Sequence, residues 1–103
     1  MVHIETLGFF EWDSEKEEEN IVKHHVNFQT AIEALLDPQG VLIADAKHSM
    51  LERRWLYAGK VRNQVVTVRT TFRGPKIRIF GAGVWRKGSK IYEKENPKTW
   101  SSF

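Results

Sequence analysis

The chain has 103 residues and no cysteine, with sixteen Lys or Arg against thirteen Asp or Glu. That length gives room for one domain, residues 1–103, whose single core buries roughly two-thirds of the surface the unfolded chain exposes; without cysteine, disulfides and thiolate metal sites are excluded. No apolar run approaches the roughly 20 residues a membrane helix needs, and Met1-Val2-His3-Ile4-Glu5 has neither the basic stretch nor the apolar run of a secretory signal, so a soluble, cytoplasmic protein with no membrane contact is the expectation.

In chain order, Phe9-Phe10-Glu11-Trp12 reads as a short strand or packed entry segment. Asp13 or Ser14 then caps a helix, with Ser14 and Glu17 at capping-box spacing, and that helix runs to about His24. A second helix follows Asn27, because Phe28, Ala31, Ile32, Leu35 and Leu36 form one apolar stripe at helical spacing, and Asp37-Pro38-Gln39-Gly40 ends it. Val41–Ala44 is a short apolar strand. Arg53–Ala58 and Gln64–Thr71 flank Gly59–Asn63, a hairpin connection, and Arg73-Gly74-Pro75 turns the chain into a strand over Lys76–Phe80. A last helix can span Lys90–Glu95. The expected fold class is therefore α+β: two N-terminal helices packed on a mostly antiparallel four-stranded sheet, with a short helix at the C-terminus.

Charge is divided along the chain. Met1–Glu52 holds eleven acids and three bases, a balance of −8, whereas Arg53–Phe103 holds thirteen bases and two acids, a balance of +11. So steep an asymmetry suggests a basic surface for a polyanion, set against the plainer alternative of charges that only solvate a surface. On the first helix, at about 100° per residue, Lys16, Asn20, Lys23 and His24 share one polar stripe, with Glu15, Glu18 and Glu19 pointing away. That stripe either meets phosphate or uses Asn20 and His24 to hold the helix to neighbouring backbone. His24 and His25 diverge by about 100° on a helix and cannot chelate one ion, and no histidines stand four apart, so no metal site is expected. No cofactor is expected either, since Gly81-Ala82-Gly83 has Arg86 where a dinucleotide fingerprint wants its third glycine.

Three ordered segments carry a resemblance. They are Phe10-Glu11-Trp12-Asp13 with Lys16, Asn20, Lys23-His24, Val26, Phe28 and Ala31; then Asp45, His48-Ser49, Glu52, Arg54 and Gly59; then Arg73-Gly74 leading into Ile77-Arg78-Ile79. From Phe9 to about Glu93 the chain resembles the BrnT toxins, small ribonucleases each encoded beside a protein antitoxin. The resemblance implies a fold like that of the RelE toxins, RNA as substrate, a cognate ribbon-helix-helix antitoxin, and promoter DNA contacted only through that antitoxin. Metal-free RNA cleavage needs a base near the ribose 2′-hydroxyl, an acid near the leaving 5′-oxygen, and cations around the phosphate. For a toxin of this kind the candidate catalytic residues are His24, Glu52, Arg54 and Arg78, with Tyr92 a weaker proton carrier. The candidate RNA-binding residues are Lys16, Lys23, Arg69 and Arg73, because guanidinium pairs bidentately with phosphate oxygens. Trp85, Trp100 and Phe103 either stack on bases or pack a terminal helix.

The chain departs from the family pattern in two places. Members usually carry Arg-Ile-Ile-Ser-Ala-Arg on the last strand; here Arg78-Ile79-Phe80-Gly81-Ala82-Gly83 has glycine for both the serine and the second arginine. Gly88-Ser89-Lys90 precedes Tyr92 where a glutamate and an arginine are usual. Two functions follow: a metal-independent endoribonuclease, or an attenuated relative that still docks antitoxin and tunes promoter repression. His25 also stands where the family has glycine, at a helix end that wants the left-handed region.

Overall fold

Gly8, at a φ of 61°, lets the chain reverse within two residues, so Ile4–Leu7 (β1) pairs antiparallel with Phe10–Asp13 (β2), Leu7 opposite Phe10. The structure is a computed structural model that describes residues 3–97. Asp13 caps the first helix, Ser14–His24 (α1), by accepting from Glu15 N at 2.9 Å. Glu17 makes no capping box. Its carboxylate instead accepts from Trp12 Nε1 (3.2 Å) and from Phe28 N (2.9 Å), which fixes the start of the second helix, Phe28–Leu35 (α2), against the first. α1 stops at His25, which adopts the left-handed conformation (φ 60°, ψ 29°) with its N–H on Ile21 O.

α2 buries Phe28, Ala31, Ile32 and Ala34. They meet Val61, Val66, Val68, Ile79 and Ala82 in the main core, with Phe10, Trp12 and Leu35 at its margin. Leu36, the last residue of the expected stripe, is exposed. Val41–Ala44 (β3), Trp55–Val61 (β4), Gln64–Arg73 (β5) and Lys76–Gly83 (β6) follow. Gly59 belongs to β4 and not to a loop, since it pairs with Val66 of β5, and it is glycine there because a side chain would overlap the Ala34 carbonyl of α2. The hairpin turn is thus only Arg62-Asn63, with Arg62 at φ 57°.

The sheet order is β1-β2-β6-β5-β4-β3. It is six-stranded and mixed, correcting the expected four-stranded antiparallel sheet: β2 runs parallel to β6, with Trp12 opposite Ile79. A parallel pair joins strands distant in sequence and leaves no turn signal between them. Every residue of β1 is exposed, so no alternation announces that strand. The final helix, Arg86–Glu95 (α3), begins four residues before the expected Lys90 and packs on the opposite sheet face from α2. There Tyr92 clusters with Ala58 and Val65, and Gly88 lies so close over Thr67 that a side chain would collide with it.

Two polar side chains close strand edges that no strand covers. β2 reaches only Ile79, and beyond it buried Asn20 of α1 accepts from Ala82 N (3.0 Å) and donates to Ala82 O (2.9 Å) and Val26 O (2.8 Å). β3 reaches only Ala58, and beyond it Asp37 accepts from Lys60 N and from Tyr92 Oη, both at 2.7 Å. Burial opposes ionisation of Asp37, but the hydrogen bonds from Lys60, Tyr92 and Gln39 together hold its carboxyl below the usual value. Burial, and then the bond to Asp37, push the Tyr92 phenol up to about 12.

Candidate nucleic-acid interface

Arg69 of β5 pairs with Gly81 and Thr70 with Ile79, which leaves Phe80 as the extra residue of a β-bulge on β6. The bulge brings the Phe80 ring onto the sheet face that carries Arg54 and Arg69, away from α2. The Arg54 guanidinium lies 3.8 Å from the Phe80 ring centre, and Arg73 stands farther out at 5.9 Å. α1 lies along this edge because Asn20 is bonded to Ala82. Its polar stripe therefore forms the opposite wall of a cavity of about 460 Å³, lined by Lys16, Glu19, Asn20, Lys23, His24, Arg54, Arg69 and Phe80.

The two arginines are held by rings, not by close carboxylates. Arg54 reaches Glu52 only at 3.6 Å, and Arg69 forms no ion pair among the described residues. The Nε atoms of both are buried without a hydrogen-bond partner. Leaving a buried donor unpaired is costly, and here no protein acceptor among the described residues satisfies either one. Both glycines of β6 make room here. A Cβ at Gly81 would stand 2.6 Å from Arg69 Nη2, and one at Gly83 would stand 2.5 Å from Trp85 Cε2. The His24 imidazole meets the Trp85 indole edge-on at 5.2 Å.

Of the eight site residues read from the sequence, the cavity gathers five: Lys16, Lys23, His24, Arg54 and Arg69. Arg73 is paired with Glu52 at 2.9 Å, and that guanidinium holds the Glu52 carboxyl below its usual value, so Glu52 is a carboxylate at neutral pH. Arg78 is paired with Glu11 at 2.7 Å, mostly buried, and does not line the cavity. Tyr92 belongs to the Asp37 network and is not in the cavity. Asn20 takes the role of holding α1 to backbone. Trp100 and Phe103 lie outside the described residues. Two lining residues escaped the sequence reading. Glu19 reaches the cavity although the helical stripe placed it away. Phe80 is turned inward by the bulge, which a glycine inside a strand pattern does signal.

Residues 12–88 match the family model of the ribonuclease toxin, BrnT, of type II toxin-antitoxin systems. The chain belongs to this family. No curated protein matched it. Membership in the BrnT family makes an antitoxin the natural partner of the chain. No helix among the described residues is long and apolar enough to cross a membrane. Among the same residues, no three His, Asp or Glu side chains converge as a metal site. The matched stretch includes every lining residue of the cavity, so the cavity is a feature of the BrnT-like part of the chain.

Proposed function

We propose that this BrnT-family toxin is an endoribonuclease that cleaves RNA in the cavity between α1 and the β5–β6 bulge. One observation carries the reading: two ring-backed guanidiniums, Arg54 and Arg69, line the cavity that His24 also lines, and Arg69 forms no ion pair among the described residues. Guanidiniums so placed suit the charge that builds on a phosphate in the transition state. In the proposed step the 2′-oxygen forms a bond to its own 3′-phosphorus, its proton passes to a base, and the bond to the 5′-oxygen breaks as an acid protonates that oxygen. His24 and Glu19 are the two cavity groups able to carry these protons, with Lys16 and Lys23 drawing the backbone in. Glu52 and Arg73 steady Arg54 from outside, and Arg78 serves the β2–β6 pairing through Glu11.

The second reading, an attenuated antitoxin-binding relative, rests on the lack of an arginine at Gly83. Arg69 weakens it, since its guanidinium occupies the space over Gly81 on the same strand end. The antitoxin in this proposal is a ribbon-helix-helix protein that covers the cavity and alone contacts promoter DNA. Purified toxin should cut RNA in excess chelator and leave 2′,3′-cyclic phosphate ends. Arg54→Ala and Arg69→Ala should each slow cleavage about 100-fold, the loss typical of one transition-state donor. Loss of cutting in EDTA would overturn the mechanism, and wild-type rates in both variants would remove the two arginines from it.

A further inference from the structure

His24 and Arg69 come from different elements, α1 and β5, and neither is tied down by a hydrogen bond or ion pair among the described residues. What they share is one ring. Trp85 follows β6 with an extended backbone (φ −113°, ψ 143°), and its indole folds back over Gly83. The imidazole stands perpendicular to that indole, at an interplanar angle of 89° and 5.2 Å between centres, while the Arg69 guanidinium lies 6.0 Å from the indole centre. Trp85 itself does not line the cavity.

We propose that Trp85 is the positioning residue of this site: its indole, seated in the space that Gly83 leaves open, sets the His24 imidazole and the Arg69 guanidinium in one fixed relation. The indole's electron-rich face holds the cation without neutralising it, so Arg69 keeps its full charge for a phosphate, as a carboxylate partner would not allow. The edge-on contact restrains a histidine that has no hydrogen bond to orient it. Gly83 acts only through the ring. Its backbone is not in the left-handed region, so an alanine there meets no conformational strain, and the nearest atoms its Cβ strikes are those of the indole, at 2.5–2.7 Å.

The effect on rate rests on the ribonuclease reading, whereas the positioning can be read on the free protein. Trp85→Ala should lower kcat by about 30- to 100-fold, the loss expected when reacting groups are misplaced by an ångström or so, and leave KM within about threefold. It should also displace the histidine limb of the pH–rate profile and change the His24 ring-proton chemical shifts. Trp85→Phe keeps an aromatic face and should restore kcat to within about threefold of wild type. Gly83→Ala should reproduce the Trp85→Ala shifts and rates, and the double variant should be no worse than either single one, the signature of two residues acting as a unit. Three results would each overturn the proposal: unaltered His24 resonances in Gly83→Ala, additive losses in the double variant, or a phenylalanine variant as slow as alanine. If wild-type protein cuts no RNA, the ribonuclease reading falls while the His24 shifts still decide the positioning. If Trp85→Ala does not fold, Gly83→Ala and Trp85→Phe decide it.

Discussion

His25 is an exposed residue with a Cβ in the left-handed region, held there because the chain must leave α1 at once to place Val26 and Phe28 in the core. That conformation is unfavourable by about 1 kcal/mol for a residue with a Cβ, though histidine tolerates it better than most. The sequence favours this over a helix that ends differently, because Val26 and Phe28 keep their places relative to Asp13 and leave no room for another turn. His25→Gly should raise stability by a few tenths to about 1 kcal/mol, the relief of strain being offset in part by glycine's larger unfolded-state entropy. Chemical denaturation of both proteins at one pH measures it, and a less stable glycine variant would show that the imidazole makes a contact worth more than the strain. Arg62, also at positive φ, is the one other non-glycine residue in this state among those described, and its two-residue hairpin turn asks for glycine at that place for the same reason.

At the scale of elements, the site exists because α1 is fixed to the open edge of β6 by a single amide. Asn20→Ala would leave Ala82 N–H, Ala82 O and Val26 O without their partner in a buried place. With each such group worth about 1–3 kcal/mol, a loss of about 3 kcal/mol is expected in urea unfolding. A loss below about 1 kcal/mol would mean that α1 is held by its apolar contacts alone. Asn20 was legible as a residue that binds backbone, because it sits on a polar stripe and is too short to reach far into solvent. Its partner strand was not legible, since nothing in Phe80-Gly81-Ala82 tells which neighbour β6 lacks at its end. The helices and β3–β6 could be read because each has its own period or turn. The β1–β2 hairpin could not, because its edge strand buries nothing and its partner strand pairs across most of the chain's length. For the cavity, side-chain type brought forward five of its lining residues, but only tertiary pairing shows that Arg73 and Arg78 are neutralised by Glu52 and Glu11 while Arg69 is not.

For the whole molecule, the +11 of Arg53–Phe103 overstates what a polyanion meets. Arg73 and Arg78 are neutralised, Arg86, Lys87, Lys90 and Lys94 ride on α3, and Lys60 and Arg62 stand at the β4–β5 turn. Two of the cavity's four Lys or Arg residues, Lys16 and Lys23, come instead from the half of the chain whose balance is −8. The sequence suggests a broad basic face, set against charges that only solvate a surface, whereas the proposed function uses a pocket drawn from both halves. Salt separates the two. Each phosphate contact made to a single strand contributes about −0.7 to the slope of log K against log salt. Binding of a 2′-O-methyl oligonucleotide, which lacks the nucleophile and stays intact, should then give a slope of about −3 if four cations are engaged, against about −9 if all thirteen bases of the second half were. Arg69→Ala should flatten the slope by about 0.7, while Lys90→Ala on α3 should leave it unchanged. A slope near −9, or one that moves as much for Lys90 as for Arg69, would place the RNA across the basic half at large and not in the cavity beneath α1.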